Sequence, residues 1–114
     1  MKKKSAKLKQ PKLPQASHAD LIKAIRDILD YCKYEHYKNW GGPMGQKGLP
    51  DITALEPNTG RYIGIEAKVG RDKLSDDQIK IKGKILRSNA IFIEARTVDD
   101  LINGLGLQER FLRF

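Results

Sequence analysis

Two β-prone stretches, Asp51-Ile52-Thr53-Ala54-Leu55 and Arg61-Tyr62-Ile63-Gly64-Ile65, are separated by Glu56-Pro57-Asn58-Thr59-Gly60. Proline presets a turn, and asparagine and glycine accept the left-handed backbone that a reversal needs. Two such runs around such a turn fold back as an antiparallel hairpin. The predicted strands cover about residues 51–56 and 61–68. Side chains alternate along a strand. Ile63, Ile65, Ala67 and Val69 therefore share one face, which is apolar and fits a core. Tyr62, Gly64, Glu66 and Lys68 share the other. Antiparallel pairing sets the start of one strand beside the end of the next. The hairpin thus predicts Asp51 beside Glu66 and Lys68.

The flanking segments define the rest of the domain. Ser17 reads as a helix cap, and Leu21, Ile22, Ile25, Ile28, Leu29 and Cys32 follow at helical spacing, which predicts a helix over about 18–33. Residues 34–40 are aromatic-rich and read as a strand that Gly41-Gly42-Pro43 breaks; a glycine-rich loop runs on to Gly48. Ser75 and Gln78 have capping-box spacing, and Leu74 and Ile79 have staple spacing, so a second helix runs to about Ser88. Ala90 to Ala95 is a short apolar strand, and Thr97 and Asp100 cap a third helix. Gln108 to Phe114 alternates basic and apolar residues, as a last short strand or a docking tail would. The order is α-β-β-β-α-β-α, an α/β fold with a mixed sheet. The crossover through the second helix makes the third and fourth strands parallel, with a right-handed connection.

The chain has 114 residues, 39% of them hydrophobic, enough for one compact core. No run approaches the ~20 apolar residues of a membrane span, and no apolar segment follows the basic N-terminus as in a secretory signal. The one cysteine, Cys32, falls on the apolar stripe of the first helix, where a buried, inert thiol fits a reducing cytoplasm. The formal charge of +8 points to an anionic partner, nucleic acid first. Six of those charges, Lys2, Lys3, Lys4, Lys7, Lys9 and Lys12, sit in the first 14 residues with no acid among them, leaving +2 on the remainder. Residues 1–16 are read as a flexible basic tail, either a phosphate-binding arm or a solubilising end. Residues 17–114 form the single domain.

Two carboxylates and an ammonium at one sheet edge have a definite chemical use. Mg²⁺ takes oxygen ligands and keeps several waters. Asp51 and Glu66 could hold it, together with the backbone carbonyl of Ala67. Such a metal polarises a scissile phosphate and activates water. Lys68 would orient that water or neutralise charge on the transition state. Gly64, bare on the same face, leaves room for close approach of substrate or backbone. Glu-x-Lys alone is a common surface pattern; its combination with Pro50-Asp51 across a short hairpin is much rarer.

Pro50-Asp51 followed by Glu66-Ala67-Lys68 resembles the PD-(D/E)XK nuclease signature. The wider pattern Asn39-Trp40-Gly41, Gly48-Leu49-Pro50-Asp51-Ile52, Gly64-Ile65-Glu66-Ala67-Lys68 and Leu74-Ser75-Asp76-Asp77-Gln78 is similar to the virus-type replication-repair nuclease (VRR-NUC) family over about residues 17–97. The resemblance implies a restriction-endonuclease-like core and a DNA endonuclease. It makes Asp51 and Glu66 ligands of Mg²⁺, with Mn²⁺ as an alternative, and Lys68 the catalytic lysine. Gln78 matches a helix glutamine that the family sets near the active site, although the capping box accounts for it equally well. Where the family often carries a glutamate at the start of the first helix, this chain has His18 and Asp20. Asp20 is read as part of the helix cap and His18 as an exposed first-turn residue.

Small members of the family imply a homodimer acting on branched DNA in the manner of a Holliday junction resolvase, in a bacterial or phage-infected cell. The absence of an appended domain fits that reading, since members fused to other domains cut flaps as monomers. A flap, nicking or restriction-like nuclease is the alternative enzyme, and a non-catalytic DNA-binding module or an RNA-binding protein the alternative class. Lys38, Asn39, Lys47, Arg71 and Lys73 are candidate DNA contacts. Trp40 fits a base contact or a core position. Tyr34, His36 and Tyr37 are read as core or sheet-surface packing. Lys80, Lys82, Lys84 and Arg87 form either a phosphate-facing stripe or a solvated helix face.

Overall fold

The computed structural model describes residues 17–40 and 45–111. The basic tail, the break at Gly41-Gly42-Pro43 and the last three residues of the terminal segment lie outside the described residues. The elements are α1 (His18–Tyr31), β1 (Glu35–Lys38), β2 (Ile52–Leu55), β3 (Tyr62–Ala67), α2 (Asp76–Arg87), β4 (Ile91–Ala95) and α3 (Val98–Gly104). They follow the order expected from sequence.

The strands form one sheet in the order β1-β2-β3-β4. The first two pairings are antiparallel, and β3 with β4 is parallel, as the crossover through α2 requires. The hairpin turn closes with Glu56 N–H donating to the Arg61 carbonyl at 2.9 Å and Gly60 N–H to that of Glu56 at 2.8 Å. Asn58 and Gly60 take positive φ of 77° and 73°, the conformations for which these two residue types suit a reversal. The register sets Ile52 opposite Ile65 and Ala54 opposite Ile63.

One face of the sheet carries the core. Leu21, Ile22, Ile25 and Leu29 of α1 and Leu101 of α3 pack with Ile52, Ala54, Ile63, Ile65, Ala67, Ile93 and Ala95. Burying a side chain of this size contributes about 1.5–3 kcal/mol, so the apolar stripe of α1 anchors that helix on the hairpin. Cys32 lies in the same cluster, buried and free. The opposite face is covered by α2, which buries only Ile85 and leaves Ile79 and Leu86 exposed.

Two open readings are narrowed. Of the two for the terminal segment, the docking tail holds and the strand does not: Gln108–Phe111 forms a 3₁₀ turn whose Phe111 packs partly buried against the core and lies 6.0 Å from the Tyr31 ring. The space over Gly64 is not left for substrate. A Cβ there would stand 2.8 Å from Pro50 Cγ and 3.1 Å from Ile85 Cδ1, so the glycine admits Pro50 and α2 to the sheet.

Candidate active site

The site is assembled at the end of the hairpin away from its turn. Pro50 is fully buried on Gly64, which fixes the chain as it enters β2. Gly48 (φ 84°) lies so close to the first turn of α2 that a Cβ would stand 2.5 Å from the Asp77 carbonyl oxygen. Asn39, just past β1, donates through its side-chain amide to the Pro50 carbonyl at 2.8 Å and to Thr53 Oγ1 at 2.9 Å. Asp51 is thereby set one residue before the Ile52–Ile65 pair. Its Oδ2 accepts the Ala67 N–H at 2.9 Å. The N–H and C=O of one strand residue leave the chain on the same side, so the Ala67 carbonyl also faces the Asp51 edge.

Glu66 is 3% exposed, the one charged or polar residue among those described that is buried as a whole. Its Oε2 lies 3.5 Å from Lys68 Nζ, and the Lys68 side chain is itself only 14% exposed. Gln78 Nε2 donates to the same Oε2 at 2.9 Å. The two readings of Gln78 are thus both realised. Its Oε1 accepts the Ser75 N–H at 2.8 Å while Ser75 Oγ accepts the Gln78 N–H, which completes the capping box of α2. With its oxygen so occupied, the amide turns its NH₂ to Glu66.

Burial of Glu66 and the adjacent Asp51 charge push its carboxyl up from 4.5 to about 7, while the Lys68 ammonium pulls the other way. Asp51, Glu66, Lys68 and Gln78 are therefore brought together as expected. A pocket of about 280 Å³ opens beside them, lined by Asp51, Gln78, Asn39 and Lys47 among others.

Other expected residues fall differently. Lys38 pairs with Ile52 and so stands on the core face of the sheet, not on the face of Glu66; its ammonium lies 5.5 Å from the centre of the Trp40 ring. Trp40 is not a core residue: it is 83% exposed on the pocket wall. Arg71 and Lys73 are exposed on the loop after β3. That loop is tied down by Arg96, whose guanidinium donates to the Gly70 and Asp72 carbonyls and to Glu94. Lys80, Lys84 and Arg87 are exposed on α2, and Lys82 packs over Phe92. His36 is a packing residue as read, nearly enclosed, with Arg26 Nε donating to its Nδ1 and its Nε2 bonded to Asp30.

Asp20 serves the α1 cap, accepting the Ser17 N–H. His18 goes beyond its reading as an exposed first-turn residue. It is half-exposed, but its Nε2 lies 3.2 Å from Asp51 Oδ2. No local pattern could reveal this, because it depends on how α1 crosses the start of β2. The one signal was the resemblance, which sets His18 and Asp20 where the family often carries a glutamate at the start of the first helix.

The donor set fits a hard divalent cation. Two carboxylates share the corner, and the one ammonium beside the buried Glu66, that of Lys68, does not offset its burial and the neighbouring Asp51 charge. Among the described residues no three His, Cys, Asp or Glu side chains group as a metal-holding cluster. Mg²⁺ commonly takes one or two protein carboxylates and completes its shell with water and substrate phosphate.

The mixed four-stranded sheet and its flanking helices are consistent with a PD-(D/E)XK-like core. A family model described as the VRR-NUC domain matches residues 4–99, and the chain belongs to that family. Neither a curated protein nor a solved structure matches the chain. The protein is accordingly a nuclease of the virus-type replication-repair class with DNA as its substrate. Among the described residues no helix is long and apolar enough to cross a membrane.

Proposed function

We propose that the protein is a divalent-metal-dependent endonuclease selective for branched DNA, acting as a homodimer in the manner of a Holliday junction resolvase. The observation that supports its chemistry is the convergence of Asp51, Lys68 and Gln78 on the buried Glu66 carboxylate. In this reading Asp51, Glu66 and the Ala67 carbonyl hold Mg²⁺, with Mn²⁺ as a substitute. When bound, the metal supplies positive charge and Lewis acidity at the scissile phosphate. Lys68 directs its ammonium at the reacting phosphate and offsets the negative charge that builds as water attacks. Gln78 fixes the Glu66 rotamer, and the Ala67 N–H fixes that of Asp51. Neither carboxylate then has to reorganise when substrate arrives.

Lys47 on the pocket wall takes a backbone phosphate, and the exposed Lys38, Arg71 and Lys73 take others farther along the DNA. Such contacts position DNA without reading its sequence and make binding weaken steeply with salt. One chain carries one reaction centre. Paired cuts across a four-way junction need two, which a C₂ dimer provides.

The test is cleavage of end-labelled four-way junction, flap, duplex and single-stranded DNA in Mg²⁺ or EDTA, by wild type and Lys68→Ala, with the mass of the protein measured by light scattering. Paired symmetric cuts in the junction by a dimer, lost in EDTA and in the variant, are the expected result. Cuts confined to flaps or nicked duplex would keep the reaction centre and overturn the junction assignment. Binding without turnover in either metal would leave a DNA-binding module.

A further inference from the structure

The wall of the active-site pocket carries the exposed indole of Trp40, and neither the core nor the metal chemistry uses it. A tryptophan side chain is large and mostly apolar, so 83% exposure beside charged groups is an unfavourable place for it unless something covers it. Its position is fixed from behind. The Asn39 N–H donates to the Asp51 carbonyl at 2.8 Å, which extends the β1–β2 pairing by one step. The Asn39 side chain is held by Pro50 and Thr53. Trp40 is therefore attached one residue beyond a backbone position tied to Asp51, and neighbouring strands lie only ~4.8 Å apart. The ammonium of Lys38 sits over one face of the ring, 5.5 Å from its centre, a cation–π contact that sets a phosphate-binding charge at an indole whose other face is open to a base. Cation beside aromatic ring is the arrangement that holds single-stranded nucleic acid: the ring stacks on a base and the cation meets the adjoining phosphate.

We propose that Trp40, on the wall of the pocket that Asp51 also lines, is a stacking platform for an unpaired base, with Lys38 on the phosphate next to it. The inference rests on the nuclease reading of this site and names the part of the substrate it selects. Bases inside an intact duplex have both faces covered by their neighbours. Only a nucleotide at a branch, flap, frayed end or single strand offers a free face. Trp40 thus turns a centre that meets every phosphate alike into one that favours DNA with an unpaired base next to the cut.

Trp40 is the chain's only tryptophan, so the intrinsic fluorescence of the whole protein reports on this residue alone. The 114-residue protein in EDTA, which prevents turnover, is titrated with oligothymidine, with a forked duplex and with a relaxed, covalently closed circular duplex. Strong quenching by the oligothymidine and the fork, and weak quenching by the closed duplex, is expected. Trp40→Ala should bind oligothymidine about tenfold more weakly, within the roughly 5- to 150-fold range of one lost base stack. Its loss toward the closed duplex should be markedly smaller, and Trp40→Phe should recover most of the difference.

Equal quenching by all three DNAs, equal losses of affinity for all three in Trp40→Ala, or no binding of oligothymidine would overturn the proposal. So would emission that shifts with protein concentration in the absence of DNA, since Trp40 would then lie between two copies. The exposed position lets Trp40→Ala fold, which circular dichroism checks. Lys68-dependent cleavage with no stacking would sink this inference and spare the nuclease reading; stacking without cleavage would do the reverse.

Discussion

Replacing Glu66 by glutamine should stabilise the metal-free protein at alkaline pH, although it removes a residue proposed to be essential for function. Glu66 titrates near 4.5 when free and at about 7 in the fold, where burial and Asp51 oppose its charge. Below pH 4.5 both states hold the proton, and the side chain carries no penalty. Between 4.5 and about 7 the folded state retains a proton that the unfolded chain has lost, so stability falls as pH rises. Above about 7 the full penalty stands. The difference between the two values corresponds to about 3 kcal/mol, and the opening of the pocket to solvent screens this to about 2 kcal/mol. For a domain of this size that is a melting-temperature gap of about 10 °C. Glutamine keeps the shape and can still accept from Gln78, but has no charge to bury.

The assay is thermal unfolding by circular dichroism in EDTA at pH 5 and pH 8. Wild type and Glu66→Gln share every other titrating group, so their difference isolates position 66. The variant's advantage should be small at pH 5 and reach about 10 °C at pH 8. Adding Mg²⁺ should raise the wild-type midpoint, as any ligand of the native state does, and leave the variant nearly unmoved. An advantage that is the same at both pH values would refute the account of Glu66 as a buried carboxylate whose charge Lys68 only partly offsets.

Other substitutions probe how the site is built. Gly64→Ala puts a Cβ against Pro50 and Ile85; overpacking of this kind costs about 1–3 kcal/mol. It should show as a lower urea midpoint together with slower cleavage, because displaced Pro50 carries Asp51 with it. Gln78→Ala should lose about 1 kcal/mol through the α2 cap and also lower kcat; restoring stability with a distant substitution should leave the kcat defect in place.

What the sequence disclosed is what depends on near neighbours along the chain. Alternation alone put Glu66 and Lys68 on one face, and Asn58 and Gly60 supplied the turn that swings Asp51 to them. Capping patterns located all three helices, because a cap is satisfied within four residues. Features set by packing angles stayed hidden. His18 meets Asp51 because α1 crosses the entrance to β2, and no local periodicity encodes that crossing. Trp40 could be core or surface until the path of the chain beyond β1 was known. Gly64 signalled a close approach but not by what, because the helix that fills the space lies outside the hairpin. The terminal segment alternates like a strand, yet Phe111 finds the Tyr31 side of the core and the backbone coils to deliver it.

The contacts around the two carboxylates join distant parts of the chain: His18 reaches Asp51 across 33 residues, Ala67 meets it across 16, and Gln78 meets Glu66 across 12. No contiguous fragment short of the stretch from α1 to α2 contains them all. A chain still emerging from the ribosome, or one clipped inside the domain, therefore has the acidic residues but not their arrangement. If the proposed site is the reaction centre, completed folding is then the condition for being able to cut DNA at all.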